Sequence, residues 1–415
     1  MPNHSEKGAA QAPFAATVIM MSVAALLVVG QTFITIPLMP ELGRAWEVPT
    51  KSAAWATTAF AIAYACGSLV SGPLSNRYGR RTVMSGSMAA MAVATALVPL
   101  ADGLGTASAL RALQGAMAGS FVPMSYAYLG ERLPKERLPL ALTTVNCAAG
   151  ATVVVGQVEG QLIGTALGWR WVFLISAPLL ALAALAAWKI MLPDPVRTAD
   201  TPKPAVSNGV LASAALLPLF AITLALVGSL TAVYTAVQLN GPAELVGDPE
   251  AMLWLRASAL PAMVIAVLIA SVLGRIPALR RASFSLAFAG VALAAAALTG
   301  DSTVLLGVTL FLFVLGISTV GPAVVQAIGD SAGPSRATAI AVYGFVLNLG
   351  SGVGAQLPLA ISDFTAMVLT VAAALGIGIL LVAMAARAAA GRTAATPAPV
   401  PAPAAAPSPA YSDER

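Results

Sequence analysis

Long apolar blocks recur along the whole chain and restrict the folds open to it. The first block, residues 14–39, contains no charged residue. A helix of about 20 apolar residues spans the hydrocarbon core of a bilayer. Lipid offers no hydrogen bonds, and a helix satisfies its backbone groups internally. The chain is 58% hydrophobic and 9% charged, whereas soluble domains carry about 25% charged residues. The pattern predicts a multi-pass helical membrane protein.

Twelve such blocks can be counted, and a polar stretch divides them into two groups of six. The predicted spans are 14–39, 52–73, 82–101, 106–130, 138–167, 171–191, 210–239, 251–273, 282–300, 303–328, 337–361 and 365–389. The domains that follow are an N-terminal tail (1–13), a six-helix bundle (14–191), a linker (192–209), a second bundle (210–390) and an Ala/Pro-rich tail (391–415) that we expect to be disordered.

Lysine and arginine are distributed unevenly between the loops. Seventeen of the 22 basic residues fall in the termini and alternate loops of one side, whereas the other side receives Arg44, Lys51, Arg170 and Arg256. Arg111 lies within a span. Basic residues mark the cytoplasmic side of a membrane protein. Both termini, the linker and the tail are therefore predicted to be cytoplasmic.

An internal repeat relates the two groups of spans. "PMSYAYLGERLPKER", from Pro123, and "PAVVQAIGDSAGPSR", from Pro322, are offset by 199 positions, and the same offset takes Gln157 to Gln356. Parallel repeats of this kind form two pseudo-symmetric bundles with a substrate site between them near the middle of the membrane. The predicted class is an all-α membrane protein of two six-helix bundles.

The stretch "GPLSNRYGRR", residues 72–81, carries three arginines between spans 2 and 3. It resembles the signature loop of the major facilitator superfamily, Gly-x-Leu-x-Asp-Arg-x-Gly-Arg-Arg, with Asn76 in place of the aspartate. The resemblance implies a cytoplasmic latch between the two halves, whereas a simple topology anchor is the alternative. The residues assigned to this latch loop are Gly72, Asn76, Arg77, Gly79, Arg80 and Arg81.

Two further motifs point to one branch of that superfamily. "LRALQGAMAG", from Leu110, resembles the span 4 motif of proton-coupled drug exporters, and "GQVEGQ", from Gly156, keeps two glycines of their span 5 signature. The resemblance implies the major facilitator fold and membership of the bacterial drug:proton antiporter branch. It also implies a location in the bacterial inner (cytoplasmic) membrane.

Arg111 and Glu159 are the two charged residues predicted to lie clearly inside spans. A charge in the membrane costs several kcal/mol, so each requires an explanation. A rise of 1.5 Å per residue places them within about a turn of each other in depth. We predict that they interact, directly or through water, and couple transport to protons. The alternatives are an arginine that reaches to the membrane surface, a static pair, or a permanently protonated glutamate.

Uncharged polar residues within spans are candidates for the wall of a substrate cavity. Span 1 contributes Gln31, Thr32 and Thr35. The other candidates are Gln114, Asn146, Gln157, Gln326, Asn348 and Gln356. Amides in membranes also join helices to each other, and this alternative stays open for each of them.

The predicted function is export of drug-like or amphipathic compounds by alternating access, through proton antiport. Export of a sugar, an amino acid or another metabolite is the alternative. The sequence has no phosphate-binding loop for ATP, and its single histidine, His4, lies in the tail. We therefore expect no enzyme activity, catalytic residue, cofactor or metal site. The expected partners are a small-molecule substrate, protons and the lipid bilayer, without nucleic acid, and the protein is expected to be a monomer.

Overall fold

The computed structural model describes residues 12–134, 136–193, 213–246, 248–299, 302–332 and 335–395. Within these ranges the chain is helical apart from short connections, and it contains no strand. The predicted tails and linker fall mostly outside the described residues. The last helix continues to Ala395, so the first residues of the predicted C-terminal tail are helical rather than disordered.

The N-terminal half contains eight α-helices in its described part. They are α1 (Phe14–Gly30), α2 (Met39–Ala45), α3 (Ala54–Tyr78), α4 (Arg80–Leu97), α5 (Leu104–Ala118), α6 (Phe121–Arg132), α7 (Leu138–Leu167) and α8 (Trp169–Ile190).

The C-terminal half also contains eight helices in its described part. They are α9 (Leu216–Asn240), α10 (Ala243–Val246), α11 (Pro249–Ala257), α12 (Leu260–Leu273), α13 (Ala278–Ala296), α14 (Thr303–Ala332), α15 (Arg336–Ala360) and α16 (Phe364–Ala395).

Nine of the described helices are long and apolar enough to cross a membrane: α3, α4, α7, α8, α9, α13, α14, α15 and α16. The other three predicted spans coincide with interrupted helices. Span 1 consists of α1 followed by a turn segment at 31–38, span 4 divides into α5 and α6, and span 8 divides into α11 and α12. The prediction of continuous helices was therefore wrong for these three spans.

Glycines allow equivalent helices of the two halves to pack closely. A Cβ at Gly156 of α7 would lie 2.7 Å from the carbonyl oxygen of Gly30, and a Cβ at Gly354 of α15 would overlap the carbonyl oxygen of Gly228. In both cases the glycine follows its partner by the same number of residues. The same close contact thus recurs in each half at an offset of 198 positions, one fewer than the offset of the sequence repeat.

The two halves meet through α3 against α15 and through α7 against α11 and α12. Hydrogen bonds between them cluster near the start of α3 and the end of α15. The Thr58 hydroxyl donates to the Gly352 carbonyl (3.3 Å) and accepts from the Gln356 amide. On the same side of the molecule, Gln161 Nε2 donates to the Pro249 carbonyl at 2.6 Å. The halves are closed at this end, which the loop charges predict to be the outer one.

Replacing two glycines of α15 by alanine is expected to change stability in opposite directions. Gly354→Ala places a methyl group against the α9 backbone and should cost about 1–3 kcal/mol. Gly344→Ala meets no atom within 4 Å and should stabilise the helix by about 0.5–1 kcal/mol. Thermal unfolding in nanodiscs measures both effects. Equal shifts for the two variants would contradict the close contact between α9 and α15.

Candidate functional site

Arg111 of α5 is completely buried and is bonded by neutral groups on three sides. Its Nη2 donates to the Gln31 carbonyl at 2.5 Å, and its Nη1 donates to Gln114 Oε1 at 2.9 Å. Its Nε lies 3.4 Å from the Ala56 carbonyl. Because the side chain is sealed in the N-terminal half, the alternative in which it reaches the membrane surface is wrong.

The Gln31 carbonyl is available because the helix of span 1 stops at Gly30. Over residues 31–38 the backbone forms shorter turn bonds, such as those from Ile36 to Phe33 and from Leu38 to Thr35, both 3.2 Å long. Carbonyls freed in this way need hydrogen-bond donors inside the protein, since lipid offers none. Arg111 is the donor to the Gln31 carbonyl.

Two aromatic rings complete the surroundings of Arg111. Its guanidinium carbon lies 4.4 Å from the centroid of the Phe60 ring and 6.0 Å from that of Phe173 in α8. A cation over an aromatic face is stabilised by the ring quadrupole, and more strongly where water is excluded. The charge is therefore accommodated without a carboxylate.

Glu159 of α7 is half-buried, and its carboxylate lies beside the Ser176 hydroxyl of α8. It forms no ion pair with Arg111, so the predicted direct contact is wrong. The two groups nevertheless approach α8 at Phe173 and Ser176, three residues apart on one face of the helix. A link through α8 or through water remains a prediction.

The polar residues of span 1 lie in the turn segment that follows α1. The Thr35 hydroxyl bonds that of Thr57 of α3 at 2.7 Å. Gln31 Oε1, Thr32 Oγ1 and Gln157 Oε1 are buried and have no hydrogen-bond partner, although Gln157 Nε2 donates to its own helix at Val153 (2.7 Å). Three buried side-chain oxygens in this region thus lack a protein partner.

Four other predicted cavity residues bond neighbouring protein groups. Gln114 Nε2 donates to the Thr95 hydroxyl at 2.6 Å, and Gln326 Oε1 accepts from Arg281 at 2.8 Å. Gln356 bonds Thr58 in the contact between the halves, and the Asn348 amide donates to the Gly344 carbonyl of its own helix at 2.9 Å. In this structure Gln114, Gln326 and Gln356 join helices to each other.

A group of tyrosines that the sequence reasoning missed lies between the halves. The hydroxyl of Tyr126 in α6 donates to Asn146 Oδ1 of α7 at 2.9 Å. The same phenol is close enough to Tyr64 of α3, Tyr343 of α15 and Cys147 of α7 to interact electrostatically. Asn146 is exposed at this junction. In the sequence, these tyrosines look like ordinary packing residues of apolar blocks. Their position between the halves becomes visible only in the structure, where α6 packs against α15.

Arg256 is a second buried arginine, and its prediction as an outer-loop residue was wrong. It is 1% exposed on α11, and its Nη2 donates to Gln238 Oε1 of α9. The sequence did offer a signal, since Arg256 falls inside the predicted span 251–273.

The loop between α3 and α4 turns sharply at Gly79, which has φ 85° and both ends α3 and precedes α4. Arg80 pairs with Glu131 at 2.6 Å, and the Arg81 guanidinium lies 4.3 Å from the centroid of the Trp188 ring. Both partners belong to the N-terminal half. The side chain of Asn76 lies outside the described residues, and a latch between the halves remains a prediction.

Comparison with solved structures supports the fold. The crystal structure of the human organic anion transporter MFSD10 (TETRAN) superposes with a TM-score of 0.68 at 15% identity, covering 90% of this chain and 100% of that one.

Three curated bacterial proteins illustrate the sequence similarity. Multidrug export protein EmrB of Haemophilus influenzae is 28% identical over 151 residues, which are 36% of this chain and 29% of that protein. Tetracenomycin C resistance and export protein of Streptomyces glaucescens is 28% identical over 195 residues, 47% of this chain and 36% of that protein. Puromycin resistance protein pur8 of Streptomyces alboniger is 29% identical over 170 residues, 40% and 33% of the two chains.

These matches span about a third of the length of each curated relative. The family match is more extensive, because the Major Facilitator Superfamily model covers residues 21–355. The multi-pass helical fold and this match together establish that the chain belongs to the Major Facilitator Superfamily.

Proposed function

We propose that this protein exports drug-like or amphipathic small molecules across the bacterial cytoplasmic membrane by alternating access, in exchange for protons. The observation that carries the proposal is that the two halves are hydrogen-bonded to each other at one end, where Thr58 meets Gln356. Nearer the other end, the exposed amide of Asn146 lies beside Tyr126, which interacts electrostatically with Tyr343 of the opposite half. The similar proteins named for multidrug export and for antibiotic resistance support efflux as the direction of transport.

The loop charges indicate which end of the molecule faces the cytoplasm. The arginines that follow α3 lie at the end opposite the sealed contact, and basic loops mark the cytoplasmic side. The proposed state is therefore open to the cytoplasm and ready to take up substrate. Both termini would then be cytoplasmic. Export requires the contact between Thr58 and Gln356 to break while the cytoplasmic ends close.

Glu159 is the proposed proton carrier. It is the acidic residue that lies well inside a predicted span, and its described neighbour is the neutral hydroxyl of Ser176. A carboxyl group without a fixed counter-ion can gain or lose a proton as water reaches it from one side or the other. Because α7 packs against α1 in its own half and against α11 in the other, a change in the charge of Glu159 can affect the contacts of both halves.

Arg111 has a different proposed role, which is to hold the turn segment of span 1 against α5. One of its three bonds to neutral groups fixes the Gln31 carbonyl, and the side-chain oxygens of Gln31 and Thr32 in the same segment have no partner. The arginine would thereby position the polar wall that substrate and water meet, while Glu159 carries the proton.

Reconstituted transport tests the function as a whole. Proteoliposomes containing the full chain and an internal pH indicator are given ethidium, puromycin, a sugar or an amino acid. Proton antiport of drugs predicts a pH change with ethidium or puromycin only. A response confined to the sugar or the amino acid would favour metabolite export and contradict drug efflux.

Glu159→Gln is expected to lower pH-gradient-driven ethidium efflux at least about tenfold, because the amide cannot carry a proton. The thermal unfolding temperature should change little. Glu250→Gln, which changes an exposed carboxylate, is the matched control and should transport normally. Full activity of Glu159→Gln would exclude this carboxyl as the carrier.

Arg111→Leu is expected to abolish efflux and lower stability, because it leaves the Gln31 carbonyl and Gln114 without their donor. Each unsatisfied buried group costs about 1–3 kcal/mol. Arg111→Lys should restore little, since an ammonium group cannot reproduce the planar fork of three nitrogens. Efflux and nanodisc unfolding measure the two effects. Wild-type behaviour of Arg111→Leu would contradict the positioning role.

Cys147 reports the accessibility of the cavity. In a Cys66→Ser background, a membrane-impermeant maleimide should label Cys147 in inside-out vesicles and fail to label it in intact cells. Ethidium should slow the labelling if it occupies the space beside Tyr126. Labelling from the outside alone would contradict both the orientation and the proposed open side.

A further inference from the structure

The C-terminal half contains a buried guanidinium whose bonding capacity is largely unused. Arg256 lies on α11, the first piece of the interrupted span 8, and the structure leaves it 1% exposed. Its Nη2 donates to Gln238 Oε1, but neither Nε nor Nη1 has a hydrogen-bond partner. Burying a charge without a compensating partner is expensive, so the site as it stands is incomplete.

A second unpartnered group faces the same place. The Tyr234 hydroxyl of α9 is buried without a hydrogen-bond partner, and it interacts electrostatically with Arg256. Tyr234 and Gln238 are four residues apart and therefore share one face of α9. The unused donors of Arg256 and Tyr234 thus lie together between α9 and α11.

Arg111 provides the comparison within the same chain. It is buried to the same degree, yet each of its nitrogens has an acceptor and two aromatic rings cover its charge. The ion pair found among the described residues joins Arg80 to Glu131, so no carboxylate of the described chain neutralises Arg256. Packing of the protein satisfies Arg111, whereas at Arg256 it leaves two donor nitrogens without an acceptor.

Arg256 also lies where a substrate would leave. Its helix begins at Pro249, whose carbonyl accepts the hydrogen bond from Gln161 of the opposite half at the closed end. Arg256 follows about two helical turns later. Separation of α7 from α11 would open this region, so the unused donors lie next to the contact that must break.

We propose that Arg256, together with Tyr234 and Gln238, binds the carboxylate of an organic anion at the closed end of the pathway. This rests on the proposed export function, since the anion is taken to be an exported substrate. A guanidinium offers two parallel donors to a carboxylate, and the phenol adds a third. The Gln238 amide nitrogen is a further possible donor to the same group.

The test compares two probes of the same shape and different charge, 2-naphthoate and its neutral amide, 2-naphthamide. Binding to the full chain in nanodiscs is measured by calorimetry for the wild type, Arg256→Met, Tyr234→Phe and Arg44→Gln. The last variant removes an exposed arginine at the same end of the molecule. The proposal predicts that the wild type prefers the naphthoate at least about tenfold, which is the worth of one charge-assisted hydrogen bond.

Arg256→Met should remove this preference, Tyr234→Phe should reduce it, and Arg44→Gln should leave it unchanged. Equal naphthoate affinity in the wild type, Arg256→Met and Tyr234→Phe would overturn the proposal. Thermal unfolding without ligand distinguishes the proposed binding role of Arg256 from a purely structural role. Arg256→Met should raise the unfolding temperature, because it removes a buried unpaired charge, whereas a structurally required arginine would give a decrease.

Ethidium efflux separates this proposal from the proposed function. If the wild type fails to export ethidium or puromycin but binds naphthoate through Arg256, the export function fails while the anion site stands. If ethidium is exported and naphthoate binding is independent of Arg256 and Tyr234, the site fails alone.

Discussion

The bond from Arg111 to the Gln31 carbonyl is the interaction on which the interior of the N-terminal half depends. Span 1 stops being helical within the predicted membrane region, and its freed backbone groups cannot turn to lipid. Arg111 reaches from α5 to one of them and is itself held by Gln114 and Phe60. The break therefore persists as a fixed feature, and it leaves the amide oxygen of Gln31 unpartnered beside α7.

Close glycine contacts allow this arrangement to remain compact. Gly156 and Gly160 of α7 lie against the backbone at Gly30 and Ile34, so the helix follows span 1 from its last helical turn into the turn segment. Glu159 lies between these two glycines, so the close contact fixes its height relative to span 1.

The two buried arginines show how similar residues acquire different roles from their surroundings. Arg111 is enclosed by acceptors and rings, so its charge serves the architecture of one half. Arg256 retains two unused nitrogens beside an unused phenol, close to a contact between the halves. The difference lies in their neighbours, because both side chains have the same chemistry and nearly the same burial.

The sequence by itself determined the class of the protein, because a long apolar segment in lipid can satisfy its backbone hydrogen bonds only as a helix. It also determined the division into halves, since the polar stretch at 192–209 and the repeat follow from residue order alone. The breaks at 31–38, 119–120 and 258–259 are not visible in the apolar pattern, although each lies at or just before a proline (Pro37, Pro123 and Pro261) that cannot donate the helical hydrogen bond. The partners of Arg111, Glu159 and Arg256 were decided by the tertiary structure. Their hydrogen bonds and contacts join residues distant in the sequence, and only packing decides which faces of two helices meet.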